Sequence, residues 1–539
     1  MSQSYEFLGK IISGPYTIPS GVVGTATPII RYLFDHVPQI GVMTTKSIGL
    51  VSRLGNREPI LTQYGPGCFM NAVGLTNPGV EEAARQFSYL EVPEDRFLLC
   101  SIFGGSLEEL VAVAQKLAPH ADGLEINLSC PHAQGYGMDM GQDAAFVKDI
   151  TRAIKESVDV PVIPKLTPNV PSIAEIAIAA AEGGADAICA INTVGPAYYT
   201  EYGNPVLTNT LGGMSGKGIL PIALKCVREI REAVNIPIIG CGGISSANDI
   251  RAFASEGADI FGVGSALTGM DSTSITGYFK AIEADLAENR NKSAELIKYD
   301  IPMGFEAYTL VKNMRVTEDI SVLTFDGKLK VKAGQFVFVW IPGVGEKPFS
   351  ALTDDPFSLA VINVGTFTDA LLKLLPGDGV FVRGVYGKPI EPAKDDKVIA
   401  VAGGTGLAAI YQLARDFGNA TVFLGARSKE RLYFLDECRA IAEVVIATDD
   451  GSAGYHGLVT ELLRQELEAR EDIESALFFN CGPAAMVHAA EEVESEFVSR
   501  DRIFSAIDYM TKCGVGICGA CYSPDGRRIC VDGPFIATQ

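Results

Sequence analysis

The sequence predicts a multidomain α/β protein. An N-terminal (β/α)8 TIM barrel is followed by an antiparallel β-barrel, an α/β nucleotide-binding domain and a small cysteine-rich C-terminal domain. Three observations predict this. Over the first half, eight short apolar runs alternate with amphipathic helical stretches. The middle changes to period-two alternation, as in Val331-Lys-Ala-Gly-Gln-Phe-Val-Phe-Val-Trp-Ile341, and then returns to strand, glycine turn and helix. The end carries four cysteines at C-x4-C-x2-C-x8-C. A length of 539 residues allows about three or four domains.

Hydrophobic content of 47% and 57 glycines fit a glycine-rich α/β chain with ample core. The 44 basic and 65 acidic residues leave a net charge of −21, which argues against nucleic acid or an anionic membrane as partner. No long apolar run predicts a transmembrane helix, and the polar start Met1-Ser-Gln-Ser-Tyr-Glu6 does not read as a signal peptide. Of twelve cysteines, eight are scattered singly from Cys68 to Cys481, as core thiols in a reducing cytoplasm would be.

Barrel strands are expected at Tyr16–Pro19, Gly41–Lys46, Phe97–Phe103, Gly123–Ser129, Pro161–Leu166, Ala187–Thr193, Pro237–Gly240 and Ile260–Val263. Capping boxes at Ser106-Leu-Glu-Glu109 and Ser172-Ile-Ala-Glu175 open two of the intervening helices. A doubly wound sheet is the competing fold, and eight evenly spaced strands favour the barrel. Barrel chemistry sits at the C-terminal strand ends. Glycine turns there, Gly242-Gly243 after strand seven and Gly264-Ser265 after strand eight, form a phosphate cradle. Lysines are ordinarily solvated, but Lys46 and Lys165 at two strand ends suit a flavin's anionic reduced ring. Asn71, Asn127, Asn192 and Thr193 at comparable ends suit a planar, amide-rich ligand. Cys130, in Glu125-Ile-Asn127-Leu-Ser-Cys130-Pro-His132, ends strand four and opens a glycine-rich lid, Pro131 to Gln142. A buried structural thiol is the alternative there. A strand-end cysteine on a lid reads instead as an acid–base catalyst exchanging a proton with carbon.

From about Gly9 to Met270 the chain resembles class 1B dihydroorotate dehydrogenase. The resemblance rests on Asn71-Ala-Val73-Gly74-Leu75-Thr-Asn-Pro-Gly79, Arg53-Leu-Gly-Asn56, Pro164-Lys165-Leu-Thr-Pro-Asn169, Ile191-Asn192-Thr193 and Gly212-Gly-Met-Ser-Gly216. It implies that Cys130 is the base and that Lys46, Asn71, Val73, Gly74, Leu75, Asn127, His132, Asn192 and Thr193 meet the substrate. It implies FMN held by Ser20, Gly21, Lys46, Lys165 and Gly216, with Gly242, Gly243, Gly264 and Ser265 at its phosphate. His132 and Ser101 stand where the family usually has asparagine, and with the lid Gly137-Met-Asp-Met-Gly-Gln-Asp143 they are similar to dihydropyrimidine dehydrogenases.

The polar run Ala287-Glu-Asn-Arg-Asn-Lys292 precedes a change of pattern near residue 300. Expected domains are 1–298 (FMN barrel), 304–392 (FAD β-barrel), 393–500 (NAD-binding α/β domain) and 501–539 (cluster domain). Val398-Ile-Ala-Val-Ala402 runs into Gly403-Gly404-Thr405-Gly406-Leu-Ala-Ala409, a G-x-G-x-x-A fingerprint between strand and helix. No acidic ribose ligand follows the next strand; Arg427, Ser428 and Lys429 stand there, leaving NAD and NADP both open. Cys513, Cys518, Cys521 and Cys530 have the plant-type iron–sulfur spacing, with a zinc knuckle as the alternative.

Residues 305–539 resemble the electron-transfer subunit accompanying class 1B dihydroorotate dehydrogenases, of the ferredoxin–NADP reductase superfamily. Lys347-Pro348-Phe349-Ser350 occupies its FAD motif, Gly365 and Thr368 its pyrophosphate turn, Gly387 a strand-end turn, and Cys481-Gly482 its nicotinamide side. The resemblance implies a [2Fe–2S] cluster on the four cysteines. Electrons would pass from FMN through cluster and FAD to NAD as dihydroorotate becomes orotate, in a homodimer paired through its barrels. The alternative is NAD(P)H-linked reduction of uracil or thymine.

Overall fold

The computed structural model describes residues 5–128, 140–391, 393, 396–470, 473–507 and 510–537. Two compact units result, one of residues 1–301 with 515–528 and one of residues 302–514 with 529–539.

In the first unit, eight parallel strands close into a barrel in chain order. They are β1 (Tyr16–Ile18), β2 (Val42–Thr44), β3 (Phe97–Ile102), β4 (Gly123–Asn127), β5 (Val162–Leu166), β6 (Ile188–Ala190), β7 (Ile238–Cys241) and β8 (Ile260–Gly262). All eight expected strands form, most shorter by one to three residues, because the loops that carry chemistry begin where pairing ends. Strands buried on both faces read as continuous apolar runs, and every residue of β3 is buried. The helices between them bury one stripe each. Leu107–Leu117 buries Leu110, Val113, Ala114 and Leu117, and its N-cap Ser106 accepts from the Glu109 amide. Below the strands, Phe7 and Ile12 of the hairpin Tyr5–Phe7 and Lys10–Ile12 enter the interior cluster with Val42, Phe97, Ile163 and Ile239. Edge-to-face contact of Phe7 with Phe97, 5.2 Å between centroids, plugs that end.

The opposite end carries a four-stranded antiparallel sheet that the periodicity did not reveal. Its order is Val194–Tyr198, Leu211–Gly216, Cys68–Asn71 and Leu61–Gly65. Gly216 makes the close approach possible: at φ +90° it lies where a Cβ would come within 2.1 Å of the Gly67 carbonyl.

The second unit holds two sheets. One is antiparallel, from β9 (Phe305–Arg315), β10 (Ile320–Phe325), β11 (Phe336–Ile341), β12 (Gly345–Phe349), β13 (Thr353–Asp354), β14 (Phe357–Ile362) and β15 (Gly379–Tyr386). Its order is β12-β11-β15-β9-β10-β14-β13. An antiparallel β-barrel was the expectation, and these seven strands pair antiparallel throughout. Strand β9 spans both halves, pairing with β15 over Phe305–Thr309 and with β10 over Leu310–Arg315. The other sheet comprises β16 (Val398–Gly403), β17 (Ala420–Ala426), β18 (Glu443–Thr448), β19 (Tyr455–His456), β20 (Leu477–Cys481), β21 (Ile503–Ala506) and β22 (Ile536–Ala537). The order β19-β18-β17-β16-β20-β21-β22 reverses direction at β16 and β20, which makes a topological switch point. No helix among the described residues is long and apolar enough to cross a membrane.

Candidate functional site

The barrel mouth encloses a cavity of about 210 Å³. Every expected FMN residue lines it: Ser20, Gly21, Lys46, Lys165, Gly216, Gly242, Gly243, Gly264 and Ser265. So do Asn71, Val73, Gly74, Leu75, Asn127, Asn192 and Thr193 from the expected substrate set. Cys130 and His132 lie outside the described residues. Sequence reading missed Ser47, Ser215, Thr268 and an apolar wall that includes Ile60, Leu61, Phe69, Ile191 and Ile219. Phe69, Asn71, Ser215 and Gly216 arrive on the antiparallel sheet, whose order depends on distant pairing. The wall also includes Ile517 and Cys518 from the C-terminal segment of the same unit.

The floor of the cavity is a polar chain. Lys165 is 4% exposed, its ammonium 3.6 Å from the Glu125 carboxylate, itself 1% exposed. Burial works against the Lys165 charge, but Glu125 and the neighbouring Cys189 and Cys241 outweigh it and hold its pKa above the usual lysine value. Ser101 Oγ donates to Glu125 Oε1 at 2.9 Å and lies 2.9 Å from Ser47 Oγ, which lies 2.9 Å from Ser20 Oγ. Each hydroxyl has one proton. Because Ser101 spends its own on Glu125, the order of donation is Ser20 to Ser47 to Ser101, and Ser20 turns lone pairs toward the cavity. Asn127 Nδ2 donates to Ser47 Oγ at 3.0 Å, and Asn192 Nδ2 to Asn127 Oδ1 at 3.3 Å, so the substrate-side amides are oriented by the same chain. Ser101 is fully buried and does not line the cavity, so its departure from the family pattern acts behind the pocket wall.

These residues fit a flavin mononucleotide. The glycine turns at 242, 243 and 264 leave room for a phosphate, and the two lysines supply cations for a ring that gains negative charge. Gly21 has φ +82°, which favours glycine, and a Cβ there would come within 3.3 Å of Lys46 Nζ.

The four motif cysteines fall in both units, Cys518 and Cys521 in the first and Cys513 and Cys530 in the second. Cys513, Cys521 and Cys530 are buried, Cys518 is half-buried, and none is in a disulfide. Gly514, Gly516 and Gly519 have φ of +82°, +73° and +63°, so the chain turns back on itself between thiols. In the first unit Val23 N donates to Ile517 O at 2.8 Å, and the buried Arg528 donates to Gly516 O at 2.7 Å and Met270 O at 3.0 Å. Among the described residues no group of three or more His, Cys, Asp or Glu side chains is disposed to hold a single metal ion. A [2Fe–2S] cluster takes four thiolate donors, two on each iron, and the motif supplies four cysteines of that chemistry.

In the second unit, Lys347, Pro348 and Phe349 end β12 and Ser350 follows it, and the Phe349 ring lies 6.2 Å from that of Phe367 in helix Thr366–Leu372. Gly365 starts that helix, and Thr368 Oγ1 accepts from the amides of Val364 and Gly365 at 2.9 and 3.1 Å. Gly387 follows β15 at φ +86°. Gly403, Gly404, Thr405 and Gly406 end β16 and turn into helix Leu407–Phe417. A Cβ on Gly406 would fall 2.3 Å from Cys481 O, and one on Gly482 3.0 Å from Gly403 O. The fingerprint and Cys481-Gly482 therefore meet at the switch point, where a dinucleotide fits.

A closed parallel barrel with a phosphate cradle and paired lysines, followed by a switch-point nucleotide fold, defines a flavin- and nicotinamide-dependent oxidoreductase. Residues 3–287 match the family model described as dihydroorotate dehydrogenase, and the chain belongs to that family. Residues 400–492 match an oxidoreductase NAD-binding domain, and residues 508–539 the iron–sulfur cluster binding domain of dihydroorotate dehydrogenase B. Among its relatives is the catalytic subunit of dihydroorotate dehydrogenase B (NAD(+)) from Pyrococcus horikoshii, 42% identical over 266 residues, spanning 49% of this chain and 85% of that one. The Methanosarcina mazei subunit of the same name is 41% identical over 266 residues, spanning 49% and 84%. A solved structure of an NADH-dependent reduced ferredoxin–NADP oxidoreductase aligns at 27% identity over 43% of this chain and 88% of that one, with a TM-score of 0.39, too low for a fold-level argument.

Proposed function

We propose that this chain oxidises dihydroorotate to orotate for pyrimidine synthesis and passes the electrons to NAD+. The supporting observation is the barrel cavity, which gathers two lysines, three asparagines and a glycine cradle around one space with Cys518 in its wall. When bound, FMN and FAD exchange two-electron for one-electron chemistry and the [2Fe–2S] cluster carries electrons singly. Lys46, Asn71, Asn127, Asn192 and Thr193 orient the pyrimidine ring, and His132 adds a donor beside it. Cys130 takes the C5 proton, and the hydride from C6 would go to the FMN that the barrel residues hold. Lys165 would balance negative charge on the ring held in the cavity. Cys513, Cys518, Cys521 and Cys530 ligate the cluster, the residues around Lys347–Ser350 and Gly365–Thr368 hold FAD, and Gly403–Gly406 with Cys481-Gly482 hold NAD.

NAD is the acceptor we assign, in keeping with the NAD(+)-linked name of the relatives. We take the domains as 1–298, 304–392, 393–500 and 501–539, and the protein as a cytoplasmic homodimer.

Two measurements test the reading. Under argon, dihydroorotate should bleach the barrel flavin and dihydrouracil should not; the reverse preference would restore the uracil and thymine reading. Cys130→Ala should abolish dihydroorotate oxidation with flavin content unchanged. Cys130→Ser should retain some activity, displaced to higher pH, because a hydroxyl ionises less readily than a thiol. A wild-type rate in Cys130→Ala would remove Cys130 from the mechanism.

A further inference from the structure

We propose that Arg383 is a positioning residue for the iron–sulfur cluster, fixing the peptide of Cys513 and tying it to the strand that carries the FAD motif. The inference rests on the reading of Cys513 as a cluster ligand. All the residues involved belong to the second unit.

Arg383 lies on β15, and its side chain is 1% exposed. A guanidinium so placed must be paired and fully hydrogen-bonded, since an isolated buried charge is very costly. Glu346 on β12 supplies the charge, accepting from Nε at 2.8 Å and from Nη2 at 2.5 Å in a two-pronged pair. Phe338 covers one face, with the guanidinium carbon 4.3 Å from its centroid, and the Tyr386 ring lies 5.3 Å away. The remaining nitrogen, Nη1, donates to Tyr386 Oη at 2.8 Å and to the carbonyl of Cys513 at 3.1 Å.

Stability alone does not account for this arrangement. A buried ion pair is often no more stabilising than apolar residues of the same volume. What an apolar replacement lacks is a donor aimed at Cys513. The next residue, Gly514, has φ +82°, and a Cβ there would come within 2.8 Å of Phe338 and 3.3 Å of Tyr386. The Cys513–Gly514 peptide thus lies against one aromatic and cationic wall. Holding the carbonyl of a ligating cysteine fixes its Cα–Cβ direction and so the aim of its sulfur, as partners behind a metal ligand generally do. Glu346 directly precedes Lys347-Pro-Phe-Ser350, so two side chains connect the proposed flavin strand to the cluster ligand.

The test uses the purified holoenzyme of wild type, Arg383→Lys, and the double variant R383M/E346M. The double variant removes the pair without stranding a charge, and so keeps the sheet folded. Three quantities are read: FAD per chain, the EPR signal and midpoint potential of the reduced cluster, and the rate at which a chelator strips iron. Both variants should keep FAD, show an altered cluster signal and midpoint, and lose iron roughly 10-fold faster. Arg383→Lys keeps a positive charge but not the fork, so its failure to match wild type separates geometry from charge. A wild-type signal, midpoint and stripping rate in both variants would overturn the proposal. Loss of FAD together with iron would overturn it as well, since that marks general packing. A wild-type protein with no [2Fe–2S] signal would instead sink the ligand reading on which the inference stands.

Discussion

Ser101 carries more of the barrel site than its size implies. Its hydroxyl connects the Glu125–Lys165 pair to Ser47, and through Ser47 to Ser20 and Asn127. Ser101→Ala leaves a carboxylate oxygen and a serine hydroxyl in a dry interior with one partner fewer. A loss of about 1–3 kcal/mol is expected from that, read as a lower denaturant midpoint, with a fall in kcat on dihydroorotate. A second buried residue gives a pH dependence. Burial pushes the Glu494 carboxyl up from 4.5 to about 8, against the Asn480 amide, which favours its charged form, and with Glu491 adding repulsion. The folded state therefore holds this proton more tightly than the unfolded chain. The stability it contributes is complete below about pH 4.5 and is lost as pH rises through about 8. Glu494→Gln should flatten that part of the Tm-against-pH curve and leave the variant relatively more stable at pH 9. A parallel fall in both proteins between pH 6 and 9 would exclude Glu494 as the source. Neither residue was assigned its role from sequence: Ser101 stood out only as a departure from a family pattern, and Glu494 reads as an ordinary helix glutamate.

At the scale of elements, strand ends and glycine turns were legible because their chemistry is local. Gly403–Gly406 and Gly242-Gly243 were assigned correctly to turns after parallel strands, since a strand run followed by glycines and a helix has few other outcomes. The antiparallel sheet over the barrel mouth was not legible. Its strands Cys68–Asn71 and Leu211–Gly216 are over a hundred residues apart and short, and their pairing depends on what they cover. The turn at Gly406 yields the prediction for this scale. Gly406→Ala would place a methyl 2.3 Å from the Cys481 carbonyl, a backbone atom that cannot yield cheaply. NADH-driven flavin reduction in the second unit should fall sharply, while dihydroorotate still bleaches the barrel flavin at the wild-type rate. Stopped-flow measurement of the two half-reactions checks it, and equal loss in both would place the damage elsewhere.

At the scale of the molecule, the cysteine motif has members in both units. Cys518 has two placements at once, within the cluster motif and on the wall of the barrel cavity. Cys518→Ser should therefore disconnect the halves. Dihydroorotate should still reduce the barrel flavin, NADH should still reduce the flavin of the second unit, and dihydroorotate-dependent NADH formation should disappear with the cluster EPR signal. Retention of the coupled reaction would show that electrons do not need this ligand. By itself the sequence determined the barrel, the nucleotide-binding fold, the cysteine spacing and the expected glycines, lysines and asparagines that line the cavity, but not its apolar wall. Those features are written in periodicity and in glycine, lysine and cysteine placed at strand ends. Tertiary structure alone decided the serine chain beneath the cavity, the sheet above it, the Arg383–Glu346 grip on Cys513 and the arrival of Cys518 at the barrel mouth. Each of these joins residues tens to hundreds of positions apart, and no local pattern encodes which distant partner a buried polar group will meet.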